Sequence, residues 1–247
     1  MHLTRIYRQE DAAFIEMLQA VRMACPSPQH IELLESRIGA QLDCSDGIRP
    51  TRLFPYKRDV HAENSHELQK IGGDEVTFTA TDKGLDHFVA ALDKHCQATR
   101  IITLKVGAQV VLLRNLDFSR ALVNGSRGIV VDFVASEDLP CVPLVRFANG
   151  QVLPIAQAEW KMESGKVVTC SRRQIPLALC WASSVHKAQG ASLDKVEMRL
   201  ASVFEDGQAY TALSRCTSLE GLSLLDLDVS KITANPRVVQ FYRQLDE

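Results

Sequence analysis

The feature that most constrains this chain is a change of texture in its middle. From Gly72-Gly73 to about Arg173, helical periodicity gives way to short β-type runs: Val76 to Ala80, Ile101 to Leu104, Gln109 to Leu113, Gly128 to Phe133, Val142 to Phe147 and Val152 to Ile155. Asn124-Gly125 and Asn149-Gly150 sit between such runs. They are expected as hairpin turns with positive φ at both central positions, which Asn and Gly tolerate best. The stretch therefore predicts a small antiparallel barrel, interrupted by a helix from about Lys83 to His95. On either side the pattern is different. Phe14, Leu18 and Val21 form a helical stripe behind Glu10 and Asp11, with Pro26 and Pro28 as its end, and Ile31, Leu34, Ile38 and Leu42 form a second. A short strand around Arg52-Leu53-Phe54 and a helix near Val60 to Ile71 follow. After Arg173 come an apolar strand Ile175 to Ala182, a polar loop through Gly190, a strand Val196 to Leu200, a helix Gly207 to Arg215 and a strand Leu222 to Leu227. Strand and helix in alternation imply a parallel sheet. The fold class is α/β: one domain built from residues 1–73 and 174–247, with a β-barrel of residues 74–173 inserted.

Composition narrows what such a chain can do. With 28 Lys+Arg against 30 Asp+Glu the net charge is −2, so any nucleic-acid site has to be local rather than a global basic field. The 7 cysteines include no Cys-x-x-Cys pair and are odd in number, which excludes a disulfide framework and a zinc ribbon and points to a reducing compartment. His87, His95 and Cys96 lack a fourth ligand at finger-like spacing, so no protein-held metal is expected. Charged residues interrupt every apolar stretch well before the roughly 20 residues a bilayer span needs, and no membrane partner is expected. The opening Met1-His2-Leu3-Thr4-Arg5-Ile6-Tyr7-Arg8 lacks acids, but Glu10, Asp11 and Glu16 follow. It reads as a strand entering a helix rather than a transit peptide.

Three segments hold residues suited to chemistry. Trp181 to Gly190 is an apolar strand opening into a loop with Ser184, His186, Lys187, Gln189 and a terminal Gly190. In an α/β sheet, ligands bind at the C-terminal ends of strands, where this loop would lie. Gly207 to Arg215 places Arg215 at the end of a helical turn, where its planar fork suits a phosphate, although from this segment alone the better reading is an arginine that answers the helix dipole. Arg8, within Tyr7-Arg8-Gln9, means little alone.

Taken together, in order and at wide spacing, the segments resemble the later motifs of the Pif (petite integration frequency) helicases. Leu-Thr-x-Ile-Tyr-Arg-Gln at the start is similar to the fourth helicase motif, Val185 to Asp194 to the fifth, and Ala209 to Arg215 to the sixth. Leu104 to Leu113, Asn115-Leu116, Leu122 to Gly128 and Arg49 to Leu53 resemble the family's signature around an SH3-like insertion. Ala188 and Ala191 stand where the family commonly has serine and methionine. The resemblance implies a second RecA-like (P-loop NTPase-type) helicase domain interrupted by an SH3-like β-barrel, the family's 2B domain. It implies that Arg8 and Arg215 are arginine fingers on the γ-phosphate of ATP, with Gln189 and Gly190 near the same phosphate, and that Ser184, His186 and Lys187 hold the backbone of single-stranded DNA. The implied cofactors are ATP and Mg²⁺, the partners single-stranded DNA and DNA junctions, and the location the nucleus or mitochondrion.

Such a motor also needs a Gly-x-x-x-x-Gly-Lys-Ser/Thr loop and an acidic pair for Mg²⁺, and this sequence contains no such loop. Leu222 to Asp228, an apolar run ending in aspartates, imitates a magnesium strand but is expected to be an ordinary core strand. Asp74-Glu75 follows glycines rather than a strand. ATP and Mg²⁺ are thus expected to be held mainly by a first RecA-like domain in cis or in trans, and the chain by itself is expected to be inactive. The alternative is a non-catalytic remnant that binds DNA or protein.

Overall fold

The computed structural model describes residues 6–135, 141–164 and 167–246, so the expected opening strand lies largely outside the described residues. Asp11 starts the first helix, α1 (Ala12–Arg22), by accepting the amides of Ala13 and Phe14, two donors that a helix start leaves without partners. This places Phe14, Met17, Leu18 and Val21 in the core. The helix ends at Met23, with Ala24 at φ +54°, before either proline is reached. Pro28 instead opens α2 (Pro28–Glu35), behind a Ser27–His30 capping box, because a missing N–H costs nothing at a first helical position. α2 stops well short of Leu42. Ile38 leaves the helix and bridges Leu224 as an isolated strand contact.

Next come β1 (Thr51–Phe54) and α3 (Lys57–Lys70), then β2 (Val76–Thr79), β3 (Thr81–Gly84), α4 (Asp86–His95), β4 (Ile101–Leu104), β5 (Gln109–Leu112), β6 (Arg127–Val134) and β7 (Val142–Phe147). They are followed by β8 (Val152–Pro154), β9 (Ala158–Ser164), β10 (Val167–Gln174), β11 (Leu177–Leu179), β12 (Ala182–Ser184), β13 (Val196–Arg199), α5 (Gln208–Leu213), β14 (Leu222–Asp226) and α6 (Pro236–Asp246). The chain divides into two units. The first takes residues up to 45, 49–63 and from 181 onward; the second takes 46–48 and 64–180. The expected boundaries at 73/74 and 173/174 both fall inside the second unit. Besides the short segment 46–48, the units divide within α3 and between Cys180 and Trp181, and neither a turn residue nor a change of composition marks these two points.

The first unit is built on a sheet of order β12-β1-β13-β14, in which every pairing is parallel. Leu53, Val196, Met198, Leu222 and Leu224 from the sheet join the inner face of α1 and Ala209, Ala212 and Leu213 of α5 in one core. Parallel strands need crossover connections, and the crossover from β1 to β12 contains residues 64–180 of the second unit. Because all four strands run the same way, the segments after Phe54, Ser184 and Arg199 leave from one edge, where α/β sheets bind ligands.

The second unit is antiparallel throughout. Its sheets have the orders β11-β5-β6-β7-β8, β3-β10-β9 and β2-β4, where a single small barrel was expected. The pattern missed β3, β9 and β10, whose charged residues obscure the alternation. Asn149-Gly150 does turn β7 into β8, but only Gly150 has positive φ, +82°. The Gly150 amide donates to the Phe147 carbonyl at 2.9 Å, so the turn places the left-handed residue last rather than using two such residues. Asn124-Gly125 closes the longer excursion between β5 and β6. The apolar run Ile175 to Ala182 is not one strand. Leu177–Leu179 pairs antiparallel with β5 and Ala182–Ser184 pairs parallel with β1, so the run passes from the second unit to the first. A uniformly apolar stretch carries no mark of which sheet it serves.

Candidate functional site

The three segments singled out in the sequence meet in the first unit. Gln9 is buried, and its Nε2 donates to the carbonyls of Ser214 (3.1 Å) and Cys216 (2.8 Å), fixing the start of the chain onto the end of α5. This anchor sets the neighbouring Arg8, whose Nε donates to Ser192 Oγ at 3.1 Å and whose Nη1 donates to the Ser214 carbonyl at 3.2 Å. Ser192 lies just beyond Gly190, and the next residue, Leu193, donates its amide to the carbonyl of Arg215 at 2.9 Å. Arg8, the Gly190 loop and Arg215 thus converge through named bonds although nearly the full chain length separates the first from the last. Arg8 also lines an open cleft of about 360 Å³ with Tyr7, Gln19, Tyr210 and Ser214.

Arg215 is buried just past the end of α5. Its Nε donates to the Thr211 carbonyl at 3.0 Å and its Nη2 to Ser214 Oγ at 2.8 Å, so it caps the helix as the simple reading requires. Burial, and after it the Arg8 charge, push its guanidinium below the usual range. Two like charges therefore share the end of one helix, and among the described residues neither has a carboxylate partner. Arg172 in the second unit shows the contrast. It is 1% exposed, and its Nε and Nη2 each reach Asp82 at 2.8 Å, while Nη2 also reaches Asp93 at 2.6 Å. A structural arginine is neutralised this way. Arg8 and Arg215 make only neutral bonds, which leaves their charge for an anion.

The loop after β12 divides its residues. Ser184 is buried, and its Oγ accepts the Lys187 amide at 3.2 Å; it shapes the loop rather than offering a donor to solvent. Ala188 is buried in the core, so the hydroxyl it lacks would not face solvent at this position. His186, Lys187, Gln189 and Gly190 are exposed, with Gly190 at φ +88° and open space where a side chain would stand. His186 Nε2 lies 3.6 Å from Glu205 Oε2, and the ammonium of Lys187 has no partner among the described residues. Ser192, the partner of Arg8, was not foreseen, and no local pattern marks it.

The aspartates of Leu222 to Asp228 have structural partners. Asp226 pairs with Arg199 at 3.0 Å and accepts the Ala201 amide, and Asp228 caps a turn at Ser230. Glu75 lies 3.4 Å from Lys105. Among the described residues no cluster of His, Cys, Asp or Glu is arranged to hold a metal, and no helix is long and apolar enough to cross a membrane.

Known proteins match both units. The family described as DNA helicase Pif1, 2B domain, matches residues 87–133. The ATP-dependent DNA helicase PIF1 of Xenopus laevis is 42% identical over 248 residues, covering 100% of this chain and 38% of that protein. The chain belongs to the Pif1 family. Among solved structures, this Pif1-family chain resembles the Pif1 helicase from Candida albicans with a TM-score of 0.79 at 33% identity, covering 98% of this chain and 60% of that one. It also resembles a Pif1 helicase from Bacteroides in complex with ADP-AlF3 and ssDNA, with a TM-score of 0.65 at 28% identity, covering 99% and 56%. It spans well under half the length of the curated relative it matches.

The 2B match covers α4 to most of β6, and one signature glycine there has a visible cause. A Cβ on Gly128 would stand 2.6 Å from Val145 Cγ1 and 2.7 Å from the Arg146 carbonyl, so β6 reaches β7 at this point only with glycine.

Proposed function

We propose that this chain is the second motor half of an ATP-dependent DNA helicase. Its first unit would be the second RecA-like domain and its second unit the SH3-like 2B insertion. Arg8 and Arg215 would face the γ-phosphate of ATP, with Gln189 and Gly190 beside it. The exposed donors of His186 and Lys187, on a loop shaped by Ser184, would hold the phosphodiester backbone of single-stranded DNA and of the single-stranded arms of junctions. ATP and Mg²⁺ would be held mainly by the first RecA-like domain, whose phosphate loop this sequence lacks. The roles implied are repair, recombination and telomere maintenance in the nucleus or mitochondrion.

The observation that carries this reading is the pair of guanidiniums at the end of α5, joined by the Gly190 loop and without a carboxylate partner among the described residues. The donor set fits a polyphosphate, because arginine forks bind two oxygens at once and these two carry uncompensated charge. The relatives' names and the Bacteroides complex with ADP-AlF3 and ssDNA support the same ligands. The decisive experiment fuses the matching first RecA-like domain of a relative to this chain and measures DNA-stimulated ATP hydrolysis. Turnover that disappears with Arg8→Ala or Arg215→Ala is expected. A folded, DNA-binding fusion that never hydrolyses ATP would favour the non-catalytic remnant instead.

A further inference from the structure

Tyr56 and Phe204 lie on the ligand edge of the parallel sheet and have no role in the site described above. Tyr56 follows β1 and Phe204 follows β13, and the register Phe54↔Ser184 sets Tyr56 beside the start of the His186 loop. Their rings stack at 4.9 Å between centroids and 6° between planes. Even so, Tyr56 remains 45% and Phe204 51% exposed. Large apolar rings that pack only for stability would bury far more of their area. The pair is also held in place. The Phe204 amide donates to Oε1 of buried Gln208 at 2.9 Å, and the adjacent Glu205 pairs with His186. The Arg58 guanidinium stands over the Tyr56 ring at 5.3 Å, with Asp59 beside it at 3.4 Å.

The geometry points to a stacking platform: Tyr56 and Phe204 take an unpaired base of single-stranded DNA whose phosphates lie on Lys187 and His186. The inference rests on the DNA reading above and adds to it the group that receives the base. The local charge supports stacking as the main term. Asp59 offsets Arg58, Glu205 sets a carboxylate beside His186, and the whole chain carries −2, so phosphate attraction alone is weak here. A flat ring binds any base through its face and needs no net charge.

The test uses the 247-residue chain and fluorescence anisotropy with two probes: a short oligothymidylate, and an abasic oligonucleotide with the same number of phosphates. Phe204→Leu, which keeps an apolar side chain and removes the flat ring, is expected to weaken binding of oligothymidylate about tenfold. It should leave abasic binding and the melting temperature unchanged. Phe204→Tyr should bind as the parent does. Equal losses on both probes, no loss on either, or a Phe204→Tyr defect matching that of Phe204→Leu would overturn the platform. Lys187→Ala separates this outcome from failure of the DNA reading, since it should weaken both probes alike. Parent protein that binds neither probe overturns both readings.

Discussion

A single arginine can be read only through its partners. Arg215 satisfies two neutral acceptors, Thr211 and Ser214, which is what a helix cap does, yet it also stands beside a second arginine, and among the described residues neither has a carboxylate partner. The two roles separate by experiment. In a fused motor Arg215→Ala should lower turnover about 10³-fold with little change in nucleotide affinity, and Arg215→Lys should recover little, because an ammonium lacks the two-pronged fork. If the residue only caps α5, its loss would cost about 0.3–1 kcal/mol of stability and spare turnover per folded molecule; ATPase rates and melting curves on the same preparations decide. The cysteines allow a plainer prediction. Cys25 is exposed, whereas burial pushes the Cys180 thiol up to about 12. At pH 8 iodoacetamide should modify Cys25 and spare Cys180 until the chain is unfolded, and mass mapping of the alkylated peptides would expose the error if Cys180 reacts in the native protein.

At the scale of elements, two close approaches hold the second unit together. Gly128→Ala sets a methyl group against the Arg146 carbonyl and Val145, so β6 and β7 must part. The expected cost is about 1–3 kcal/mol, read as a shift of the urea midpoint, and an unchanged midpoint would show that β7 yields freely. The second is Arg172, which ties β10 to β3 and α4 through Asp82 and Asp93. The hydrogen bond from Arg172 holds the Asp82 carboxyl below the usual range. A depressed carboxyl stabilises the fold above its unfolded value, about 3.9, and that stability is lost as pH falls through the folded value. Asp82→Asn should therefore cost about 3 kcal/mol near neutrality, and the gap from the parent protein should narrow progressively as pH falls below about 4. A gap that stays at its neutral-pH size as the pH is lowered well below about 4 would mean that packing, not charge, is what the substitution disturbs.

For the whole molecule, the central expectation follows from the proposal that this chain is one half of a motor. Chain purified alone should show no DNA-stimulated ATP hydrolysis, since phosphate, magnesium and water must be held together for the chemistry. Turnover at helicase-like rates by the isolated chain would refute the division of labour proposed here. Its binding to single-stranded DNA should weaken as salt rises, with log K falling by about 0.7 per phosphate contacted for each unit of log salt. Lys187→Ala should remove roughly one such contact from that slope, whereas a slope unchanged in this variant would take the loop off the DNA path.

The sequence by itself determined some of the local elements and the order of the motifs. Asp11 as a cap, the stripe of α1, the αL glycine at 150 and the core character of Leu222 and Leu224 follow from side-chain chemistry acting over a few residues. It also determined that Arg8, the Gly190 loop and Arg215 belong together, because they match one family's pattern. Only the tertiary structure decided what depends on distant partners: that Ile175 to Ala182 serves two sheets, that the unit boundaries fall inside a helix and an apolar run, and that Ser184 shapes its loop from a buried position. The stack of Tyr56 on Phe204 is of the same kind. The rings come from the ends of two strands joined by a long excursion, and only the parallel register of β1, β12 and β13 brings them to one edge.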